Sequence, residues 1–158
     1  MCTISTIQQR LISCCHDPVV SNHDYELVSL KNILEEISQQ NRRYLIDVED
    51  ESYRAPLFHA IESGKSLNFL RLLLDFQVRL TSRILLGAIR YGNLNLLKLL
   101  HEYGADFQQT YHGISLLHES ILLHKNNLLE FLIETGGVST LLGDLLIMVL
   151  IVLFSSLH

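Results

Sequence analysis

The chain has no tryptophan, only two prolines and only eight glycines among its 158 residues. Glycine and proline at this level exclude a collagen-like or low-complexity disordered chain. Its three cysteines, Cys2, Cys14 and Cys15, all fall within the first fifteen residues, too few and too local for a disulfide framework. No Asn-x-Ser/Thr sequon occurs, and the opening MCTISTIQQR lacks the long apolar run of a signal peptide. These absences predict a reducing, intracellular setting, cytoplasmic first, with the nucleus as the alternative.

Chemical signatures are equally scarce. There is no GxGxxG, no phosphate-binding P-loop and no GxSxG. Cys14-Cys15-His16-Asp17 has the residue types of a metal site, but adjacent cysteines miss the C-x2–4-C spacing and no second pair answers them. His112, His118 and His124 recur every six residues, which turns a helix by about 600° and puts them on different faces. His118-Glu119 followed by His124 is not H-E-x-x-H, because the second histidine comes too late. Glu35 and Glu36 are neighbours pointing about 100° apart, a poor acid/base pair. No catalytic residue, metal or cofactor is expected.

What the chain does have is apolar residues, 48% of the total, ample for a core. They are largely leucine and do not alternate over long runs, which predicts an all-α domain. Net charge is −5, unevenly placed. Residues 1–53 carry four Lys/Arg against nine Asp/Glu, residues 54–98 seven against two, and residues 99–158 one against six. The basic middle, Arg54, Lys65, Arg71, Arg79, Arg83, Arg90 and Lys98, suits an acidic partner. The competing reading is a set of ordinary solvated helix faces. Nucleic acid is not expected, since the flanks are acidic and no basic patch with stacking aromatics is evident.

The stretch 92–106, GNLNLLKLLHEYGAD, places Leu96, Leu97 and Leu100 on one helical stripe, with Leu99 beside it and Asn95, Lys98 and Glu102 on the wetter side. Gly92 is expected to take the left-handed conformation of a tight turn between two helices, and Gly104 that of a C-terminal cap. The same frame recurs in GKSLNFLRLLLDF (64–76) and HKNNLLEFLIETGG (124–137). A shorter apolar segment precedes each: APLFHAIES (55–63), RILLGAIRY (83–91) and ISLLHESILL (114–123), with Ala60, Ala88 and Ser120 in matching places. Small residues there let two helices approach closely.

This pattern resembles the ankyrin repeat, whose unit of about 33 residues is a β-turn finger followed by two antiparallel helices, with a Thr-Pro-Leu-His-x-Ala signature. Ala55-Pro56-Leu57-Phe58-His59-Ala60 and Ser115-Leu116-Leu117-His118-Glu119-Ser120 match it in part, and Gly104-Ala105-Asp106 matches the exit of the second helix. Arg83–Ala88 has lost the signature, Gln77 stands where an exit glycine belongs, and His124 replaces an inter-helix glycine, a place histidine tolerates. Upstream, 3–15 and 24–41 read as the two helices of a degenerate first unit.

The resemblance implies an ankyrin-like α-solenoid of stacked helix-turn-helix repeats with short finger loops. Residues 1–45 would form a degenerate N-terminal cap, 46–137 the repeats and 138–158 an apolar C-terminal helix. Leu145–Phe154 is continuously apolar, ten residues, too short for a span of about 20. A buried capping helix is the first reading, with membrane contact through residues 141–157 and self-association as alternatives. Leu122 and Leu123 are expected to pack on that segment.

The family's usual role implies a non-catalytic scaffold, adaptor or competitive inhibitor that binds another protein on a concave face of first helices and fingers, and the basic middle suits an acidic one. Tyrosine and arginine are enriched in such hot spots, which selects Tyr53, Arg54, Arg79, Arg83, Arg90, Tyr91 and Tyr111. His59, Glu62, Ser63 and Glu119 are expected to be exposed on the same first helices. His118 would brace the finger. A repeat protein tethered to membranes by its tail is the alternative.

Overall fold

The structure, a computed structural model, describes residues 4–17, 23–41 and 43–135. The apolar segment at 138–158, with its expected membrane contact at 141–157, lies outside the described residues. Within them the chain is mostly helical, as its leucine spacing predicts: α1 (Ile4–His16), α2 (His23–Gln39), α3 (Pro56–Glu62), α4 (Leu67–Asp75), α5 (Ser82–Tyr91), α6 (Leu94–Glu102), α7 (Leu116–Leu122) and α8 (Asn126–Glu134). A short 3-10 turn covers Arg43–Ile46. None of these helices is long and apolar enough to cross a membrane.

Local chemistry sets the helix starts. Ser66, Thr81, Asn93 and Ser115 each precede a helix, and their side-chain oxygens accept from the N–H groups of Phe69, Ile84, Leu96 and His118. Each such cap is worth about 1 kcal/mol over alanine. α3 starts instead with Pro56, whose fixed φ suits the first turn.

Consecutive helices pair, α1 with α2 through α7 with α8, and the pairs pack in sequence order. The odd-numbered helices form one row, α1 on α3, α3 on α5 and α5 on α7. The even-numbered helices form the other, α2 on α4, α4 on α6 and α6 on α8. One apolar seam runs between the rows, through Leu11, Leu34, Leu57, Leu73, Leu85, Leu97, Leu117 and Leu132, all essentially inaccessible. Burying a leucine side chain contributes about 1.5–3 kcal/mol. Ala60, Ala88 and Ser120 lie within this seam, and the Ser120 hydroxyl donates to the Leu117 carbonyl at 2.7 Å.

Lysines tie neighbouring pairs together. Lys65, just before α4, reaches back to Glu26 of α2 at 2.9 Å, with both side chains buried. Lys125, just before α8, reaches back to the carbonyls of Ile89 and Arg90 at 2.7 and 2.8 Å. It thereby satisfies acceptors that the end of α5 leaves open. Lys65 therefore leaves the expected solvent-facing basic set, because α4 packs beside α2 and brings it onto a carboxylate.

Four of the connections contain the left-handed residues that the repeated frame requires: Gly64, Gln77, Gly104 and His124. Gly92 does not. Its φ is −85° and ψ −170°, an extended conformation. α5 runs ten residues, whereas α3 and α7 run seven. It therefore ends directly against Asn93, the cap of α6, and no room is left for a left-handed turn. Glycine is needed there for space. A Cβ at Gly92 would lie 2.4 Å from the Ala88 carbonyl oxygen and 2.6 Å from Leu96 Cδ2.

Candidate partner-binding face

Three loops and three helices place the residues expected to meet a partner. The first loop joins the 3-10 turn to α3 and is organised by Asp50. Its Oδ1 accepts from the backbone N–H groups of Ser52 and Arg54 at 2.8 and 2.9 Å. Its Oδ2 lies 2.9 Å from His59 Nε2. A carboxylate only accepts, so His59 carries its proton on Nε2. Nδ1 is then left buried and without a partner among the described residues. Burial opposes the Asp50 charge, yet these hydrogen bonds hold its pKa below the ordinary 3.8. For His59 burial dominates and lowers the pKa below 6.5, against the opposing pull of Asp50.

His59 is therefore a buried loop anchor, 2% exposed, and not the exposed contact residue its helical position implied. Tyr53, at the tip, is exposed with φ 58°, held by its N–H to the Asp50 carbonyl. Arg54 is half-buried and already paired, 3.1 Å from Glu62 and 3.5 Å from Asp50.

The second loop is a two-residue hairpin. β1 (Thr110–Tyr111) pairs with β2 (Ile114–Ser115), Thr110 opposite Ser115 and Tyr111 opposite Ile114. His112 and Gly113 both have positive φ, the signature of a type I′ turn. The hairpin packs on α5 and sets Tyr111 beside Arg83. At its end Ser115 Oγ lies 2.7 Å from His118 Nδ1, so His118 contacts the start of its own helix through the Ser115 side chain. Arg79, on the loop before α5, is exposed, and its backbone N–H donates to Asp47 Oδ1 at 2.8 Å.

Along α5, Arg83, Gly87, Arg90 and Tyr91 follow helical spacing on one face. Phe58 of α3 lies over Gly87, where a Cβ would meet its ring at 2.8 Å. The Tyr91 ring meets Phe58 edge-on at 6.3 Å. The Arg83 guanidinium sits 5.7 Å from the Phe58 centroid and 6.0 Å from that of Tyr111, within cation–π range. Four side chains from α3, α5 and β1 thus converge: Phe58, Arg83, Tyr91 and Tyr111. Sequence reasoning missed Phe58 as a contact residue, although it stands inside the Ala55–Ala60 motif. Glycine in the middle of RILLGAIRY was the available signal, since a helix-interior glycine implies close approach by another group.

Arg90 has a different fate. Its Nε lies 2.5 Å from Glu119 Oε1 of α7, and the Glu119 side chain is buried. The hydrogen bond from Arg90 to Glu119 raises the arginine's pKa. Glu119 was expected at the surface; α7 packs against α5 and buries it against Arg90. Arg54 and Arg90 are therefore not free cations, whereas Arg79 and Arg83 form no ion pair among the described residues.

Elsewhere the candidate chemistry is plain. Cys15 is buried in the core and its thiol is pushed well up by burial. Cys14 is half-buried and likewise raised by burial, the opposite of a reactive thiolate. Among the described residues no three His, Cys, Asp or Glu are grouped to hold a metal ion. Leu122 and Leu123 are exposed. Set against known protein families, curated proteins and solved structures, the chain matches none of them.

Proposed function

We propose that the protein is a non-catalytic binding module of the ankyrin-repeat type, about four helix pairs long with the first degenerate, that engages another protein through the face of α3, α5 and the β1–β2 hairpin. The paired helices in two rows, the left-handed residues at Gly64, Gln77, Gly104 and His124 and the hairpin before α7 support the repeat reading. The observation that carries the function is the convergence of Phe58, Arg83, Tyr91 and Tyr111 from separate elements onto one surface. Arg83 is left without a carboxylate there, and Tyr91 is half exposed. Aromatic and arginine side chains held in place by neighbours lose little entropy on binding, which is what hot spots require. Arg54, Arg79 and Tyr53 extend this surface along the loops. Arg90 lies exposed on the same helix as Arg83 and is tied to the buried Glu119.

The test is affinity capture from the native cell lysate with the full chain, comparing wild type with Arg83→Glu plus Tyr91→Ala. Lys98→Glu, on the exposed side of α6, serves as the control. A partner recovered by wild type and by the control, but not by the double variant, supports the reading. Equal recovery by all three overturns it.

A further inference from the structure

We infer that Arg83 is a receptor for one carboxylate, brought by an acidic side chain in the middle of an extended partner segment that lies across α5. This deepens the proposed binding role and rests on it. Most cations near this face are already satisfied. Arg54 is committed to Glu62 and Asp50, and Arg90 to the buried Glu119. Lys125 is committed to the carbonyls of Ile89 and Arg90. Arg83 has no ion pair and no hydrogen bond among the described residues, and its five N–H donors are available.

Its orientation is nevertheless fixed. The guanidinium lies near the rings of both Phe58 and Tyr111, and Phe58 is itself located by Gly87 and Tyr91. A guanidinium restrained by aromatic neighbours and open at its donor edge matches a planar two-oxygen acceptor, which a fork of parallel N–H groups binds bidentately.

Charge decides between acceptors. A phosphate monoester carries nearly two negative charges at neutral pH. Arg83 offers one positive charge, and its helix neighbour Arg90 is neutralised by Glu119. Arg79 is exposed and makes no contact with either ring. A single carboxylate balances this site and a phosphate does not. Phe58 comes from α3 and Tyr111 from the hairpin before α7, and α3 and α7 are the two neighbours of α5 in its row, so an aromatic ring reaches Arg83 from either neighbour. The bound segment therefore runs past the acidic residue with apolar side chains on either flank, and does not end there.

The probe is a pool of N-acetylated, C-amidated dodecapeptides with Glu, Gln or phosphoserine fixed at the sixth position and the flanks varied, selected on the full-length protein. Selected sequences are resynthesised and titrated one by one. A further arm ends each peptide at the sixth position with a free carboxylate. The expected result is that Glu peptides bind about tenfold or more tighter than their Gln twins, the effect of one charge-assisted contact of about 1.4 kcal/mol or more. Arg83→Lys, which keeps the charge and removes the fork, should lose most of that preference while its circular-dichroism melt matches wild type. Lys98→Glu should keep it.

Equal affinity for Glu and Gln peptides overturns the carboxylate assignment but leaves the binding face standing if Arg83→Glu still weakens them. Tighter binding of phosphoserine or of the free-carboxylate arm overturns it in favour of those groups. A pool that yields no binder also overturns it. If both Arg83 variants bind peptides as wild type does, the face itself is wrong and the proposed function falls with it.

Discussion

The two rows of helices treat their polar residues differently. In the even row, Tyr103 of the α6 end donates to Asp75 of α4 at 2.5 Å, Arg71 approaches Glu102 at 3.6 Å, and His101 stacks on Phe107 beside Phe131. Polar and aromatic groups there join one helix pair to the next. In the odd row, Arg90 and Glu119 do the same, but Arg83, Tyr91 and Tyr53 keep surface that no neighbour uses. The two faces differ in what these side chains have left to offer. A charge counted in the sequence is informative about partners only after its internal commitments are subtracted.

The comparison is broken most severely where the even row depends on one buried contact. Lys65 and Glu26 form a buried ion pair, and removing one member leaves an uncompensated charge. Glu26→Ala should cost about 3–5 kcal/mol, read as a large drop in the midpoint of urea unfolding. The double change Glu26→Leu plus Lys65→Met should recover most of that loss.

Next in size is the spacing between α5 and α6. Gly92→Ala forces a methyl group against the Ala88 carbonyl and should cost about 2–3 kcal/mol. Gly104→Ala meets nothing within 4 Å and bears only its φ of 80°, so it should cost about 1–2 kcal/mol. Thermal melts of the two variants distinguish crowding from backbone conformation. The reverse order would mean that the backbone around position 92 shifts to admit the methyl group and that crowding there costs less than positive φ at position 104.

A smaller effect is set by pH. The His59 pKa is lowered in the fold, so the unfolded chain takes up a proton that the folded chain refuses. Stability is full above 6.5 and declines as pH falls from 6.5 towards the lowered folded value. The groups facing His59 are Asp50, Arg54 and His16. His59→Gln keeps a donor for Asp50 and should flatten this slope between pH 6.5 and the lowered value. Chemical denaturation at a series of pH values measures it. Smallest of all, Arg71→Ala should change stability by less than about 0.5 kcal/mol, because Arg71 and Glu102 are both more than half exposed.

The helices and the seam were legible in the sequence because leucine at helical spacing and small residues at Ala60, Ala88 and Ser120 report local geometry directly. His124 was legible for a related reason, since the repeated frame marked its position as left-handed and histidine tolerates that region. Gly92 was misread because the same frame assigns it a turn, whereas the extra length of α5 removes the turn. Arg90 and Lys65 were misread because their partners, Glu119 and Glu26, stand 29 and 39 residues away in the chain. Only the packing of α5 on α7, and of α4 beside α2, brings those charges together. Tyr53, Arg83, Tyr91 and Tyr111 were selected by residue type among the finger and first-helix places of the repeated frame. Their surroundings, and the part of Phe58, come from the packing of three elements.

The loop from Asp50 to Arg54 has one further consequence. Its shape is dictated by a single carboxylate that collects donors from Ser52, Arg54 and His59, plus the backbone closure of Asp50 N–H on the Arg54 carbonyl. The side chains of Glu51, Ser52 and Tyr53 contribute little to that shape. The segment is thus an exchangeable cassette: with Asp50 and His59 retained and a residue that accepts positive φ kept at position 53, foreign sequence can be grafted at 51 and 52 and the same framework retargeted without redesigning its interior.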